Sequence, residues 1–266
     1  MSEDKESKNG VQSLEVGMTV VRALVQGQRA MMLKDIAQRS GMPPAKVHRY
    51  LVSLIRSGLV TQDPVTAYYD LGPFAMRLGF AAVNRVDRIK MGMQAAANLR
   101  TEINYACALA VWSEHGPLIA RWERPNLPVT VNVSTGVHLR LLNTAAGMVF
   151  AAWMPSEEVL PLLEQELQRQ PKGSPFQSME DVQRRLQAVR ETGIATVSDH
   201  YMVDGVEAIA APVFNYRNEL TLVLSVVGVV GMSDFSPAGK AYEALKIAAQ
   251  QLSLQLGASP EEVARV

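Results

Sequence analysis

The chain has 266 residues, 48% hydrophobic and 20% charged, with 26 basic and 26 acidic side chains and a formal net charge of zero. That length favours two domains of moderate size, and the apolar content is ample for packed cores. A single cysteine, Cys107, excludes an intramolecular disulfide and a cysteine-rich metal site. No apolar run reaches the length of a membrane span and the polar opening is no signal peptide, so a cytoplasmic protein without membrane contact is expected.

Residues 1–10 are polar and read as a disordered tail. Val11 to Gln26 predicts a first helix with Leu14, Met18, Val21 and Val25 on its apolar face. Leu33, Ile36 and Ala37 keep the spacing of one buried helical stripe, and Gly41-Met42 breaks it. Pro43-Pro44 can open the next helix but cannot continue the last. That next helix buries Val47, Leu51, Leu54 and Ile55, and Gly58 stops it. Its opposite face carries Ala45, Arg49, Val52 and Arg56, flanked by Lys46, His48 and Ser53. Leu59 to Thr61 and Tyr68 to Leu71 read as short strands around an Asp63-Pro64-Val65-Thr66 turn. Three helices and a hairpin make a winged helix-turn-helix, whose second helix presents its N-terminal half to a DNA major groove.

Charge agrees with that reading. Between Val20 and Val60 seven basic residues (Arg22, Arg29, Lys34, Arg39, Lys46, Arg49, Arg56) face one acid, Asp35, so an anion-binding module sits on a mildly acidic body.

Gly72-Pro73 marks a boundary. Phe74, Leu78, Ala81 and Ala82 predict a linker helix over residues 73–87, and Ile89, Met93 and Ala97 begin a second domain over residues 88–258. Strands follow at Ala106 to Trp112, Leu118 to Glu123 and Val129 to Val133. Thr144-Ala145-Ala146-Gly147 leads into an apolar helix, Pro155-Ser156 opens another, and Ser178 caps a third that Gly193 ends. Ala195 to Ser198, Val206 to Phe214 and Leu220 to Val230 are strands, and Ala238 to Leu256 is a last helix. The mixture predicts an α+β domain with one sheet covered by helices.

The chain resembles the IclR-type bacterial transcriptional regulators over nearly its whole length. The resemblance rests on LKDIAQRSGMPPAKVHRYLVSLIRSGLV, the wing end Tyr69-Asp70-Leu71-Gly72, Gly136 with Thr144-Ala145-Ala146-Gly147, and Gly205-Val206-Glu207-Ala208-Ile209-Ala210-Ala211-Pro212-Val213-Phe214. It implies a winged helix-turn-helix over residues 11–72, a linker helix and a GAF-like domain for effector binding and oligomerisation. The implied partners are palindromic double-stranded operator DNA, a small organic acid, often aromatic, and further copies of the chain in a homodimer or homotetramer. The chain departs from the family at several pocket positions. His138, Arg140, Leu142 and Met148 stand where Arg, Pro, His and Lys are frequent, and Val227 replaces a frequent serine while Ser225 keeps another.

The expected DNA-reading residues are Pro44, Ala45, Lys46, His48, Arg49, Ser53 and Arg56. Arg49 has the reach for a guanine edge, while Lys46, Arg56 and the backbone near Pro44 suit phosphates. The competing reading is an ordinary solvated helix face. For the effector the resemblance implies Leu139, Ala145, Ala146, Ser198, Asp199, Ala208, Ser225 and Val227. At Ala145 and Ala146 small side chains let a ligand carboxylate approach unpaired helix N–H groups, against the alternative of a tightly packed helix start. Trp112 and Trp122 lie on strands and read as core rather than as ligand stackers, and Cys107 as an inert buried thiol.

No phosphate-binding loop, G-x-S-x-G, dinucleotide fingerprint or HExxH is present, and no two histidines share helical ligand spacing. Asp199, Asp204 and Glu207 make an acidic stretch without a nucleophile beside it. No enzyme, metal or cofactor is therefore expected. The alternative to an effector-responsive regulator, acting as repressor or activator, is a DNA-binding protein whose C-terminal domain only oligomerises or meets a protein partner.

Overall fold

The computed structural model describes residues 10–27, 29–198 and 205–264. Except for Gly10, the expected tail lies outside them. Two units are distinguished, residues 1–86 and residues 87–266.

In the first unit α1 (Gln12–Val25), α2 (Leu33–Ser40) and α3 (Pro44–Arg56) precede an antiparallel pair, β1 (Val60–Gln62) and β2 (Tyr69–Leu71). Gly41 ends α2 in the left-handed region, φ 64°, where a side chain would be strained, and Pro44 stands in the first turn of α3. Val20, Leu24, Ile36, Val47, Leu51, Val60 and Tyr69 close the core between them. Met31 belongs to this core and trades backbone hydrogen bonds with Tyr69, at 2.9 and 2.8 Å, an isolated bridge that ties the wing to the segment just before α2. The wing turn is held by Asp63, whose carboxylate accepts the N–H groups of Val65 and Thr66 at 2.8 and 2.7 Å. Those bonds, Thr66's foremost, keep the Asp63 carboxyl below its ordinary pKa.

One expectation about α1 is corrected. Its buried face is Gly17, Val20, Val21 and Leu24, while Leu14, Met18 and Val25 are 66, 37 and 62% exposed. The helix is apolar on two adjoining stripes, and spacing alone does not tell which one meets the core. The unit ends in α4 (Pro73–Val83), which buries no residue and leaves Met76, Leu78 and Phe80 exposed.

The second unit is built on a five-stranded antiparallel sheet. Its strands are β3 (Ala106–Ser113), β4 (Gly116–Glu123), β5 (Ala195–Val197), β6 (Val206–Phe214) and β7 (Leu220–Val229), in the order β4-β3-β7-β6-β5. Alternation along the strands splits the apolar side chains between two faces. Leu109, Ile209, Ala211, Leu222 and Leu224 pack with residues of α5 (Arg88–Ile103) and α9 (Lys240–Gln255). Ala110, Ala210 and Val223 pack with residues of α6 (Ala145–Trp153), α7 (Ser156–Gln168) and α8 (Met179–Thr192). Ser178 and Asp181 form a reciprocal capping box on α8, which Gly193 ends in the left-handed conformation. A short α10 (Pro260–Val263), not expected from the sequence, follows α9.

Cys107 lies on the α5/α9 face of β3, fully buried, and loss of water pushes its thiol pKa up to about 12. It is a packing residue, not a nucleophile.

The strand expected over Val129 to Val133 is absent. Alternating valines suggested it, but Pro125 and Pro128 interrupt the approach. The free edge of β4 is also taken, by a later segment. Ile119 donates to the Val137 carbonyl at 3.0 Å, and Leu139 donates to the Pro117 carbonyl at 2.8 Å. Residues 124–140 are an irregular strap instead.

Candidate functional site

The first candidate surface is the outer face of α3. Pro44, Ala45, His48, Arg49, Ser53 and Arg56 are exposed and Lys46 is half-buried, while Val47 and Leu51 point into the core. Among the described residues, ion pairs form only between Arg121 and Glu123 and between Arg184 and the acids Glu180 and Asp181. Lys46, Arg49 and Arg56 therefore carry unneutralised charge, available to an anionic partner. Residues near the helix start are short, which lets the helix end approach a surface closely.

The second candidate is a cavity of about 600 Å³ between the sheet and the start of α6. Small side chains on three adjacent strands make its room. Ala108 on β3 pairs with Ser225 on β7, which pairs with Ala210 on β6, and one step along the sheet Val227 pairs with Ala208. Larger residues at Ala108, Ser225 or Ala208 would fill the space. The strap covers another side through Val131, Val133, Val137 and Leu139.

The start of α6 shapes the polar end. Thr144 caps the helix, accepting the Gly147 N–H at 2.9 Å and donating to the Arg140 carbonyl at 2.8 Å. Met148 N–H bonds to the Thr144 carbonyl at 3.0 Å. The N–H groups of Ala145 and Ala146 find no acceptor among the described residues, and both residues line the cavity. They sit at the positive end of a helix dipole. Gly147 is needed here, because a Cβ would run into the Arg140 carbonyl oxygen and come within 2.7 Å of Leu141 Cα. Ser225 is 5% exposed, lines the cavity and has no hydrogen-bond partner for its hydroxyl among the described residues.

The rim is pinned from α7 and the residues just past it, which sequence reasoning did not reveal. Glu166 accepts the N–H groups of Leu141 and Leu142, one on each carboxylate oxygen, at 2.8 and 2.9 Å. Gln170 donates to the side-chain oxygen of Asn143 at 2.9 Å. Glu166→Gln should keep one of the two acceptors and lose the other, lowering stability by about 1–3 kcal/mol. Denaturant unfolding should show an earlier midpoint at unchanged slope.

Of the expected effector residues, Leu139, Ala145, Ala146, Ala208, Ser225 and Val227 line this one cavity. Ser198 does not. It is exposed just past β5, and Val197, paired with Ala208, supplies the wall instead. Alternation turns the next residue away from a face that its neighbour lines. Asp199, His200 and Asp204 lie outside the described residues. Glu207 borders the cavity, yet strand alternation puts its side chain on the other face, where it accepts the Ser233 hydroxyl at 2.6 Å. Trp122, read from sequence as core, lines the cavity, as do His138 and Arg140. No group of three or more possible metal ligands occurs among the described residues.

Comparison with known proteins covers both units. The model of the IclR helix-turn-helix domain matches residues 13–64, and the model described as "Bacterial transcriptional regulator IclR C-terminal" matches residues 80–254. The crystal structure of Pseudomonas aeruginosa HmgR is similar at 36% identity and a TM-score of 0.82, covering 94% of this chain and 100% of that one. The "Glycerol operon regulatory protein" of Streptomyces griseus is 28% identical over 256 residues, 93% of this chain and 97% of the relative. The "Pca regulon regulatory protein" of Pseudomonas putida is 26% identical over 233 residues, 82% and 75% of the two chains. Proteins of this kind are transcriptional regulators, not enzymes. With matches to both models, one over residues 13–64 and the other over more than half of the chain, this chain belongs to the IclR family of bacterial transcriptional regulators.

Proposed function

We propose that the chain binds a palindromic operator through α3 and controls a catabolic operon in response to a small aromatic or otherwise hydrophobic organic acid. The observation that carries the ligand half is the cavity at the start of α6. Two N–H groups at the start of α6 and the Ser225 hydroxyl, all without a partner among the described residues, face an otherwise mostly apolar wall. A carboxylate satisfies the helix end, and an apolar body satisfies the rest. Ala208 and Val227 offer no donor, so a ligand made almost wholly of polar atoms would lose about 1–3 kcal/mol for each group left unpaired. The same cavity argues against a C-terminal domain that only oligomerises. The names of two relatives, "Glycerol operon regulatory protein" and "Pca regulon regulatory protein", support control of an operon. The working compartment is then the cytoplasm, where operator DNA lies.

The test is a melting panel of aromatic, aliphatic and keto acids. Aromatic acids should raise the melting temperature. A response confined to pyruvate- or glyoxylate-sized acids would refute the apolar reading.

The assembly proposed is a twofold homo-oligomer, dimer or tetramer, because one winged helix covers only a few base pairs. The exposed apolar side chains Val11, Leu14, Met18 and Val25 on or beside α1, and Met76, Leu78 and Phe80 on α4, support it. Light scattering at micromolar concentration should give an even multiple of the chain mass, and a monomer that binds a single half-site tightly would contradict it.

A further inference from the structure

The structure points to a residue of the cavity that the effector reading above does not use. Trp122 on β4 pairs with Ala108 on β3, which pairs with Ser225 on β7. The three therefore stand in one row across the sheet, and Trp122 and Ser225 are two strand spacings apart, about 10 Å. Between them Ala108 offers only a methyl group. A ligand whose carboxylate meets the N–H groups of Ala145 and Ala146 and whose body lies over Ala108 is bounded on one side by the Ser225 hydroxyl and on the other by the indole.

The chain's other two tryptophans are already engaged. Trp112 packs on Phe150 with ring centroids 5.6 Å apart, and Trp153 on Phe214 at 6.1 Å, both against the core cluster beside α6. Trp122 has no such ring partner among the described residues, and its indole N–H is buried without a hydrogen-bond acceptor. Buried indole N–H groups ordinarily find a partner that fixes the ring. Here no hydrogen bond tethers the indole, so its position is set by packing alone, and an occupant of the cavity supplies packing on the open side.

We propose that Trp122 is the specificity-determining residue of this cavity, with the flat, unsaturated body of the effector lying over Ala108 against the indole. This rests on the effector reading and adds to it: the site discriminates a planar ring from a saturated ring of similar size, not merely apolar from polar. Ring-on-ring contact contributes beyond simple area burial, and a saturated body forgoes that part.

The experiment compares benzoate, cyclohexanecarboxylate and pyruvate by calorimetry on the full-length wild type, Trp122→Ala and Trp122→Phe, with tryptophan fluorescence followed in parallel. Trp122→Ala should weaken benzoate about tenfold and cyclohexanecarboxylate markedly less, and Trp122→Phe should restore benzoate to within about threefold. Benzoate should change the fluorescence of the wild type and leave that of Trp122→Phe unaltered although it still binds. Equal benzoate affinity in wild type and Trp122→Ala, or a fluorescence change that survives in Trp122→Phe, overturns the proposal while leaving the effector reading intact. A wild type that binds none of the three acids takes down the effector reading itself, and this assignment with it. If Trp122→Ala does not fold, as judged by circular dichroism, the fluorescence arm with Trp122→Phe decides.

Discussion

Arg49→Ala is expected to weaken operator binding by about 1–3 kcal/mol and to relax base preference at one position in each half-site. The side chain is exposed on α3, unpaired, and one turn from the helix start. A bidentate contact to a base edge is lost together with its discrimination, so cognate and mutated operators should converge in affinity. Lys46→Ala should behave differently. A phosphate contact carries no sequence information, so binding should fall on all duplexes and the salt slope should flatten by about one unit. Footprinting and anisotropy titrations at matched salt separate the two. Both variants binding like wild type would mean that another element reads the DNA.

The second large effect is expected from Ala146→Trp. Ala146 is 4% exposed and its N–H is one of the two unpaired donors at the cavity. An indole at this position fills the space that the ligand needs and blocks approach to the helix end. For wild type, a ligand at about a hundred times its dissociation constant should add roughly 2.7 kcal/mol of stability. In a unit of this size that corresponds to a melting shift of roughly 5–10 °C. Ala146→Trp should show none of it and still bind operator, because α3 belongs to the other unit. A variant that responds to acids as wild type does would place the effector elsewhere.

Much of the exposed face of α3 proposed to read DNA was legible in the sequence because helical periodicity, two prolines and two glycines act locally. The buried stripe of Val47 and Leu51 fixes which side of α3 is left over, and the leftover side is short or basic. The cavity was legible in part for a different reason: small residues in Thr144-Ala145-Ala146-Gly147 and along β6 leave space wherever they lie. What stayed hidden depends on distant pairing. Glu166 binds Leu141 and Leu142 from a helix some 25 residues on, and nothing in its own neighbourhood signals that. Trp122 is assigned to the cavity only by its register with Ala108, next to a strand irregularity between Leu109 and Ala110 that shifts the pairing. Alternation read along β4 alone does not survive such a shift. The strap misled for the converse reason. Val129, Val131 and Val133 alternate like a strand, but a strand also needs an edge to pair with, and residues 137–139 already hold it.

Cavity occupancy is expected to control operator affinity. That control is tested most directly by selecting an operator from a random duplex pool and measuring its affinity by anisotropy, with and without a saturating aromatic acid, for wild type and Ala146→Trp. An acid-dependent change of about fivefold or more is expected in wild type, within the usual range of coupling energies, and none in Ala146→Trp. An operator affinity in wild type that no acid alters, despite a measured melting shift with the same acid, would contradict it.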